Sequence, residues 1–483
     1  MIGHRAVELL VDIMRGVYDV LEQVTLRHEL VFRNSTTTPQ PMIRISTRKS
    51  AMRAERGNRA GPNGTLVIFS AGDFAFNLYW QAISLYLLFY YIDALALPPA
   101  TAGLVFMIGA IWDGVADILA GAAAERMRLS YRRLVGWGAL PLGLTFVAMF
   151  SVPTGAAAFA LATQMMFRTL YAFTNIPYAA WTTRVAQTSR DRSLVAGLRM
   201  GFGSAAGALV ALLLPWLVAR AGSYGVASAI LAVVAVPLLA IMAWRVPEPT
   251  PSAAPAQRLA IWSGLAVLAR NRAFVVLNVA SAAGGAATAL TSQSVLYFFR
   301  YVLQDAPGGP RALAAMAVSS LVAVPLWTAL ARTRGARTAW LGAGVLALIV
   351  PAVFALTGSP GSTATAAFLL AMQAAFIGFA LAAWTLLPDT VDWGEAQSGK
   401  RVEALAFGTY ALMQKIALAG TGFAIGMIYQ ANGFVAGAVQ GPASLYAIRW
   451  LMLAGPALLI AAMLAAVLAI PLSRDTMASL RRA

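Results

Sequence analysis

"IWDGVADILAG", Ile111 to Gly121, sets two aspartates, Asp113 and Asp117, four residues apart inside a hydrophobic run. The surrounding stretch, residues 98–122, is long and apolar enough to cross a bilayer as a helix. A charged side chain at the bilayer centre costs about 2.5–3.5 kcal/mol on insertion scales, so two need compensation. A spacing of four puts both carboxylates on one helical face, with Cβ atoms about 5–6 Å apart. Like charges that close and poorly solvated share a proton, bind a cation, or are neutralised by a buried arginine.

The rest of the chain has the same character. Its 483 residues are 59% hydrophobic and 11% charged, and hydropathy predicts an all-α integral membrane protein with twelve transmembrane helices. The spans fall near 66–92, 98–122, 133–152, 155–180, 195–219, 223–244, 273–299, 312–331, 338–357, 362–388, 404–429 and 445–472. Cytoplasmic loops hold the excess of Lys and Arg, which tests this count independently. Loops after even spans carry sixteen such residues, from Arg126, Arg128, Arg132 and Arg133 through to Lys400 and Arg401. Loops after odd spans carry four: Arg220, Arg300, Arg311 and Arg449. Both termini are therefore expected in the cytoplasm, in a multi-pass protein of the cell's inner (plasma) membrane. The net charge of +17 reads as topology and contact with anionic membrane lipid, not nucleic-acid binding. Cysteine is absent and both histidines, His4 and His28, precede the first span, so coupling chemistry inside the membrane falls to carboxylates.

Residues 1–64 differ in composition from the rest. Apolar positions from Val7 to Val24 recur at helical spacing ahead of a basic, polar stretch, which reads as an amphipathic surface helix; the alternative is an upstream extension, with translation starting at Met42 or Met52. "RVPEPTPSAAPAQR", Arg245 to Arg258, has a composition that neither packs nor forms helix. It lies within an expected linker, 245–272, dividing six-helix bundles at 65–244 and 273–472, with a tail at 473–483. "AERMRLSYRRLVGWGAL" after the second span and "ARTRGARTAWLGAGVL" after the eighth are faintly alike. Duplicated halves with a site between them at mid-membrane is transporter architecture.

Five segments then occur in order: "GDFAFNLYWQAISLYLLFYYIDALAL", "IWDGVAD", "TNIPYAA", "RDRSLVAGLR" and "PDTVDWGEAQSGKR", with Lys415 downstream. Together they resemble the glycoside–pentoside–hexuronide:cation symporters of the major facilitator superfamily, over residues 66 to 430. The resemblance implies the major facilitator fold and symport of a sugar or glycoside with sodium or a proton by alternating access, without a further cofactor.

Carried over residue by residue, the family's cation site falls on Asp113 and Asp117. The oxygens that assist sodium in melibiose permease are replaced by Ala116 and Ala172, and Thr174 is the available substitute. With fewer oxygens, a proton is the expected coupling ion. The carboxylates that grip galactosides correspond to Asn77 and Asn175, amides that still donate and accept hydrogen bonds. Asp73, one turn before Asn77, is a candidate replacement acceptor or a helix-end residue. Arg199 matches the family's sugar-side arginine and otherwise anchors to lipid headgroups. Lys415 is one of three lysines among 36 basic residues, which suggests that an ammonium is specifically required in the eleventh span. The family's arginine before the first Asp is Ala110 here, while Arg168, seven residues before Asn175, occupies a position where relatives have a small residue. Arg168 is expected to pair with Asp113 or Asp117. Tyr178 and Trp384 are candidates for stacking on a sugar. Glu125, Arg126, Asp389, Asp392, Lys400 and Arg401 are candidate gating residues at the cytoplasmic face, or a solvated charged loop.

The expected function is proton-favoured, cation-coupled sugar symport by a monomer. An uncoupled sugar uniporter and a lipid or amphiphile carrier of the same fold are the alternatives. With no cysteine, no histidine within the spans and no extended catalytic loop, an enzyme is not expected.

Overall fold

The computed structural model describes residues 63–126, 130–186, 189–248, 261–358, 361–400 and 402–470. Helices make up these segments and no strand occurs among the described residues. In chain order they are α1 (Asn63–Ala82), α2 (Pro99–Arg126), α3 (Tyr131–Met149), α4 (Ala157–Val185), α5 (Ser189–Ala221), α6 (Tyr224–Arg245), α7 (Ile261–Arg270), α8 (Arg272–Tyr297), α9 (Gly308–Arg334), α10 (Ala336–Ala355), α11 (Ser362–Ser398), α12 (Glu403–Ala431), α13 (Pro442–Met452) and α14 (Ala454–Leu468). Backbone groups without water as a partner must bond within the chain, and helices satisfy that locally. Nine described helical stretches are long and apolar enough to cross a membrane. The other expected spans, near 66–92, 133–152 and 155–180, are helical as well, as α1, α3 and α4. Apolar side chains face outward along them, such as Val233 at 72% exposed and Leu326 at 66%, as suits a surface solvated by lipid.

Helix starts follow from local chemistry. The Ser130 hydroxyl accepts from Arg133 N, Ser223 from Gly225 N and Val226 N, and Asn271 from Phe274 N, each satisfying an amide that the first turn leaves unpaired. Glu248 closes the start of α3 from outside, accepting from the Tyr131 and Arg132 amides at 3.0 and 3.1 Å and pairing with Arg184. The interval 245–272 contains the helix α7, where Gly264 lets Leu405 of α12 approach closely. The last span is also broken at Leu453, three residues before Pro456, whose ring nitrogen has no hydrogen for the ladder. Residues 1–62 and 471–483 lie outside the described residues, so the expected amphipathic segment and tail do too.

The first six helices pack among themselves, α1 on α5 and α6, α2 on α4, and α3 on α4 and α6. The later ones do likewise, α8 on α11, α12 and α14, and α11 on α9 and α10. Between the groups, α2 lies along α12 and α5 along α9. The α2–α12 seam is backbone against backbone. A Cβ at Gly103 would stand 2.9 Å from the Gly422 carbonyl oxygen, and one at Gly426 would stand 2.3 Å from that of Pro99.

The groups also end their first long helices alike. Beyond α1 the chain winds through π-helical turns, the last being Tyr90–Ala94, and beyond α8 through Phe298–Val302. Leu95 N donates to Tyr90 O and Leu97 N to Tyr91 O; Leu303 N donates to Phe298 O and Asp305 N to Phe299 O. Ala96 and Gln304, at matching places, take left-handed φ values of 51° and 54°, uncommon for residues other than glycine.

Candidate functional site

Four charged side chains from three helices meet beside the α2–α12 seam. Lys415 of α12 places its Nζ 2.7 Å from Asp113 Oδ2 and also pairs with Asp117, both on α2. Arg168 of α4 sets Nη1 3.4 Å from the same Asp113 oxygen. The expected partnership of Arg168 is thus with Asp113. Arg168 and Asp113 are each only 1% exposed, whereas Asp117 is 27% and Lys415 20% exposed. The cluster therefore has a sealed pair and an accessible pair. The Gln164 amide completes the sealed side: with its oxygen and nitrogen exchanged, the orientation that satisfies both, the oxygen accepts from Arg168 Nε at 3.3 Å and the nitrogen donates to Val105 O at 3.2 Å. Trp112 Nε1 donates to Thr169 Oγ1 at 2.8 Å and ties α2 to α4.

Two carboxylates with one guanidinium and one ammonium sum to zero formal charge, which is how charges are tolerated in a membrane interior. Next to them Ala116, Ala120 and Ala172 form a small apolar cluster of their own, so no side-chain oxygen stands at those positions. Thr174 does not supply one. Its hydroxyl donates to Leu170 O and Tyr171 O, and its methyl faces Gly138 of α3. Thr174 lines a groove of about 420 Å³ with Arg133, Trp137 and Phe173, away from the carboxylates.

A second polar cluster lies on α1 and α5. Arg199 brings Nε and Nη2 to 3.0 and 2.9 Å from Asp73 Oδ1, and its Nη1 donates to Thr182 Oγ1 at 3.2 Å. Asn77 Nδ2 donates to Asp73 Oδ2 at 3.0 Å. Asp73 is thus an interior residue of α1 and holds the arginine, rather than a frayed helix end. Gly203 of α5 leaves room beside the Asn77 amide, 3.3 Å from where a Cβ would stand. Asn175 is half-buried on α4, two turns from Arg168 and on the same face.

Tyr178 is fully buried. Its hydroxyl donates to Phe69 O at 3.0 Å, one side of its ring stacks on Phe69 at 4.8 Å, and the Arg199 guanidinium lies 5.0 Å from the ring centre. The ring is thus enclosed between Phe69 and Arg199. Trp384 of α11 is 52% exposed and packs beside Tyr410 and Phe407, with centroids 5.0 and 6.2 Å away. Among the gating candidates, Asp389 and Asp392 are half-buried near the end of α11, and Lys400 is exposed just past it. Arg401 and the side chains of Glu125 and Arg126 lie outside the described residues.

The chain matches the family described as MFS/sugar transport protein over residues 68–474. It belongs to that family. The isoprimeverose transporter of Lactiplantibacillus pentosus is 26% identical, with 79% of this chain and 83% of that protein aligned. The inner membrane symporter YicJ of Escherichia coli is 25% identical over 76% of this chain and 82% of its own. In three dimensions the nucleoside transporter NupG is similar, with a TM-score of 0.67 at 14% identity, covering 84% of this chain and 100% of that one; this likeness concerns the fold alone. The protein is a sugar transporter of the glycoside–pentoside–hexuronide:cation symporter type, a multi-pass inner-membrane member of the major facilitator superfamily and not an enzyme.

For a sugar transporter, several further polar groups matter that sequence reading passed over. On α8, Asn278 Oδ1 and both amide atoms of Gln293 are buried with no hydrogen-bond partner among the described residues. Gln414, one residue before Lys415, lies against Gly285 of α8 and donates to the Tyr410 hydroxyl at 3.0 Å. Tyr171 of α4 packs against Phe76 and Trp80 of α1, with centroids 5.7 and 6.1 Å apart, on the helical face that carries Asp73 and Asn77. These residues belong to no motif, and their only sequence signal is polarity inside an apolar span.

Proposed function

We propose that this protein carries a glycoside, pentoside or hexuronide-type sugar across the membrane together with a proton, by alternating access. The observation that carries the choice of ion is the Lys415 ammonium between Asp113 and Asp117, with Arg168 behind Asp113. Both carboxylates already have cationic partners, and Ala116 and Ala172 stand where further oxygens are needed. A metal cation stripped of water needs such oxygens, whereas a proton needs only one accessible base. Asp117 is that base. Its protonation releases Lys415 from one partner and leaves Asp113 held by Arg168.

Asp73, Asn77, Asn175 and Arg199 form the sugar-facing side contributed by the first helices, and Trp384, Gln414 and Lys415 the side contributed by the later ones. Buried donors and acceptors without a protein partner are costly, and sugar hydroxyls supply partners to groups such as those of Gln293 and Asn278. Because a ligand shifts a conformational equilibrium only through differential affinity, coupling requires that sugar bind more tightly when Asp117 is protonated.

The test uses purified protein in proteoliposomes, a panel of labelled glycosides, pentosides and uronides, and an imposed proton or sodium gradient, with Asp117→Asn as comparison. Proton-driven accumulation that Asp117→Asn loses while keeping sugar exchange is the expected result. Sodium-driven accumulation would refute the choice of ion. Equilibration without accumulation in both proteins would make this a uniporter in which Arg168 and Lys415 stand permanently in the cation's place.

A further inference from the structure

At the end of the bundle that the arginine distribution assigns to the outside, the two π-helical turns meet. Asp93, fourth residue of the turn Tyr90–Ala94, accepts a hydrogen bond from the hydroxyl of Tyr301, the fourth residue of Phe298–Val302. Arg300 Nη1 lies 3.2 Å from the same Asp93 oxygen. The Tyr301 oxygen also accepts from Gly437 N at 2.9 Å, which ties in the connection after α12. Aromatic rings shield the group: Arg300 lies over Phe89 and Tyr301 at 5.6 and 5.4 Å, and Phe89 packs on Tyr297 at 5.1 Å. Asp93 is left 4% exposed.

The two turns share their position, their hydrogen-bond pattern and the left-handed residue that follows. Asp93 and Tyr301 are therefore equivalent residues of a duplicated unit, one acidic and one a donor. Equivalent residues in a two-fold arrangement touch each other only near the axis. In transporters built from parallel repeats, that axis runs along the membrane normal and the substrate site lies between the repeats. An Asp93–Tyr301 contact thus stands across the route from the sugar site to that face. Single-turn π segments in helices are frequently found at functional sites; here the wider turns bring both side chains together at one level.

We infer that Asp93, Arg300 and Tyr301 form the outer latch of the transport cycle, closed when the sugar site opens to the cytoplasm and broken when it opens outward. This rests on the alternating-access reading above. A charge-assisted bond to a shielded carboxylate is among the stronger single hydrogen bonds, yet the latch consists of one carboxylate, one guanidinium and one hydroxyl, few enough to break and re-form in each turnover. Tyr301 Oη bridges the carboxylate to the Gly437 amide, so the latch also links Asp93 to the connection between α12 and α13.

The absence of cysteine makes a distance measurement direct. Spin labels on Thr154→Cys and Val439→Cys, both exposed at this end, report its width in lipid nanodiscs by pulsed electron resonance. Asp93→Asn, Arg300→Gln and the mildest change, Tyr301→Phe, should each raise the ratio of long to short distances, by tenfold or more for Asp93→Asn. A tenfold change corresponds to about 1.4 kcal/mol. Distances unchanged in all three variants of a parent that exchanges sugar would overturn the latch and leave the proposed function standing. Distances that respond in a parent that exchanges no sugar would keep the latch and overturn the proposed function.

Discussion

Replacing Arg168 by glycine removes the sealed half of the charge cluster. At 3.4 Å from Asp113, and with an effective dielectric constant of about 20, the gross attraction is about 5 kcal/mol. Removing one member of a buried pair costs about 3–5 kcal/mol, because it strands the other charge. Asp113 still has Lys415 at 2.7 Å, so the lower end, about 3 kcal/mol, is expected. Lys415 is then drawn toward Asp113 and away from Asp117, and the cluster changes from neutral to −1. Three consequences can be measured in one set of proteoliposomes and detergent melts: a lower melting temperature, slower proton-driven accumulation, and a new stimulation of sugar exchange by added sodium. Ala110 is buried on α2 three residues before Asp113, so Ala110→Arg in the Arg168→Gly background returns a guanidinium to the same carboxylate from the next turn. Partial recovery of stability and accumulation is expected. A normally expressed Arg168→Gly protein with unaltered melting and accumulation, or a double variant no better than the single one, would refute the assignment of Arg168 as the charge that holds Asp113.

Other substitutions separate the remaining roles. Lys415→Arg keeps the charge but replaces a compact ammonium by a planar fork; accumulation should fall at least tenfold in transport assays while expression holds, whereas a snorkelling lysine would tolerate the change. Tyr178→Phe removes one buried hydrogen bond, to Phe69 O, and should lower stability by about 1 kcal/mol with sugar affinity unchanged in binding titrations; a large loss of affinity would return Tyr178 to the sugar. Asp73→Asn strips Arg199 of its carboxylate partner and should weaken binding of uncharged sugars while improving relative binding of uronides, as competition measurements would report. Glu248→Gln should destabilise the start of α3 by about 1 kcal/mol or less, visible as a lower melting temperature without a change in exchange rate.

The sequence makes the membrane architecture plain for a physical reason: a span is a local property, written in about twenty consecutive residues and in the arginines that flank it. Arg168 was legible too, since a charge two turns from Asn175 on one helical face has few places to go, and Asp113 was among them. The surroundings of Tyr178 and Thr174 are not legible in the same way, because periodicity assigns a helical face but not the neighbour that covers it. Phe69 and Arg199 enclose the tyrosine ring, and Gly138 receives the threonine methyl. Asp93 went unread for a different reason. The π-helical turns after Ala82 break the 3.6-residue period, so counting faces along α1 places the residues after Tyr90 wrongly, and the partners of Asp93 lie more than two hundred positions away. Gln293 and Asn278 carry no pattern at all, and only the packing around them shows that both amide atoms of Gln293 and the Oδ1 of Asn278 lack partners among the described residues.

The seam of glycines between α2 and α12 makes these two helices a lever. At Gly103 and Gly426 their nearest neighbours are backbone atoms, with no side chain to repack, so bulk added there must become displacement of a whole rod. One methyl at Gly426 would stand 2.3 Å from the Pro99 carbonyl oxygen, and restoring an ordinary contact means moving the helices apart by about 1 Å. Lys415 lies eleven residues away on the same helix, about 16 Å at 1.5 Å per residue, and its ammonium reaches α2 by hydrogen-bond distances that tolerate only a few tenths of an ångström. The spacing of two backbones near one face of the membrane therefore sets whether an ion pair deep in the bundle can close.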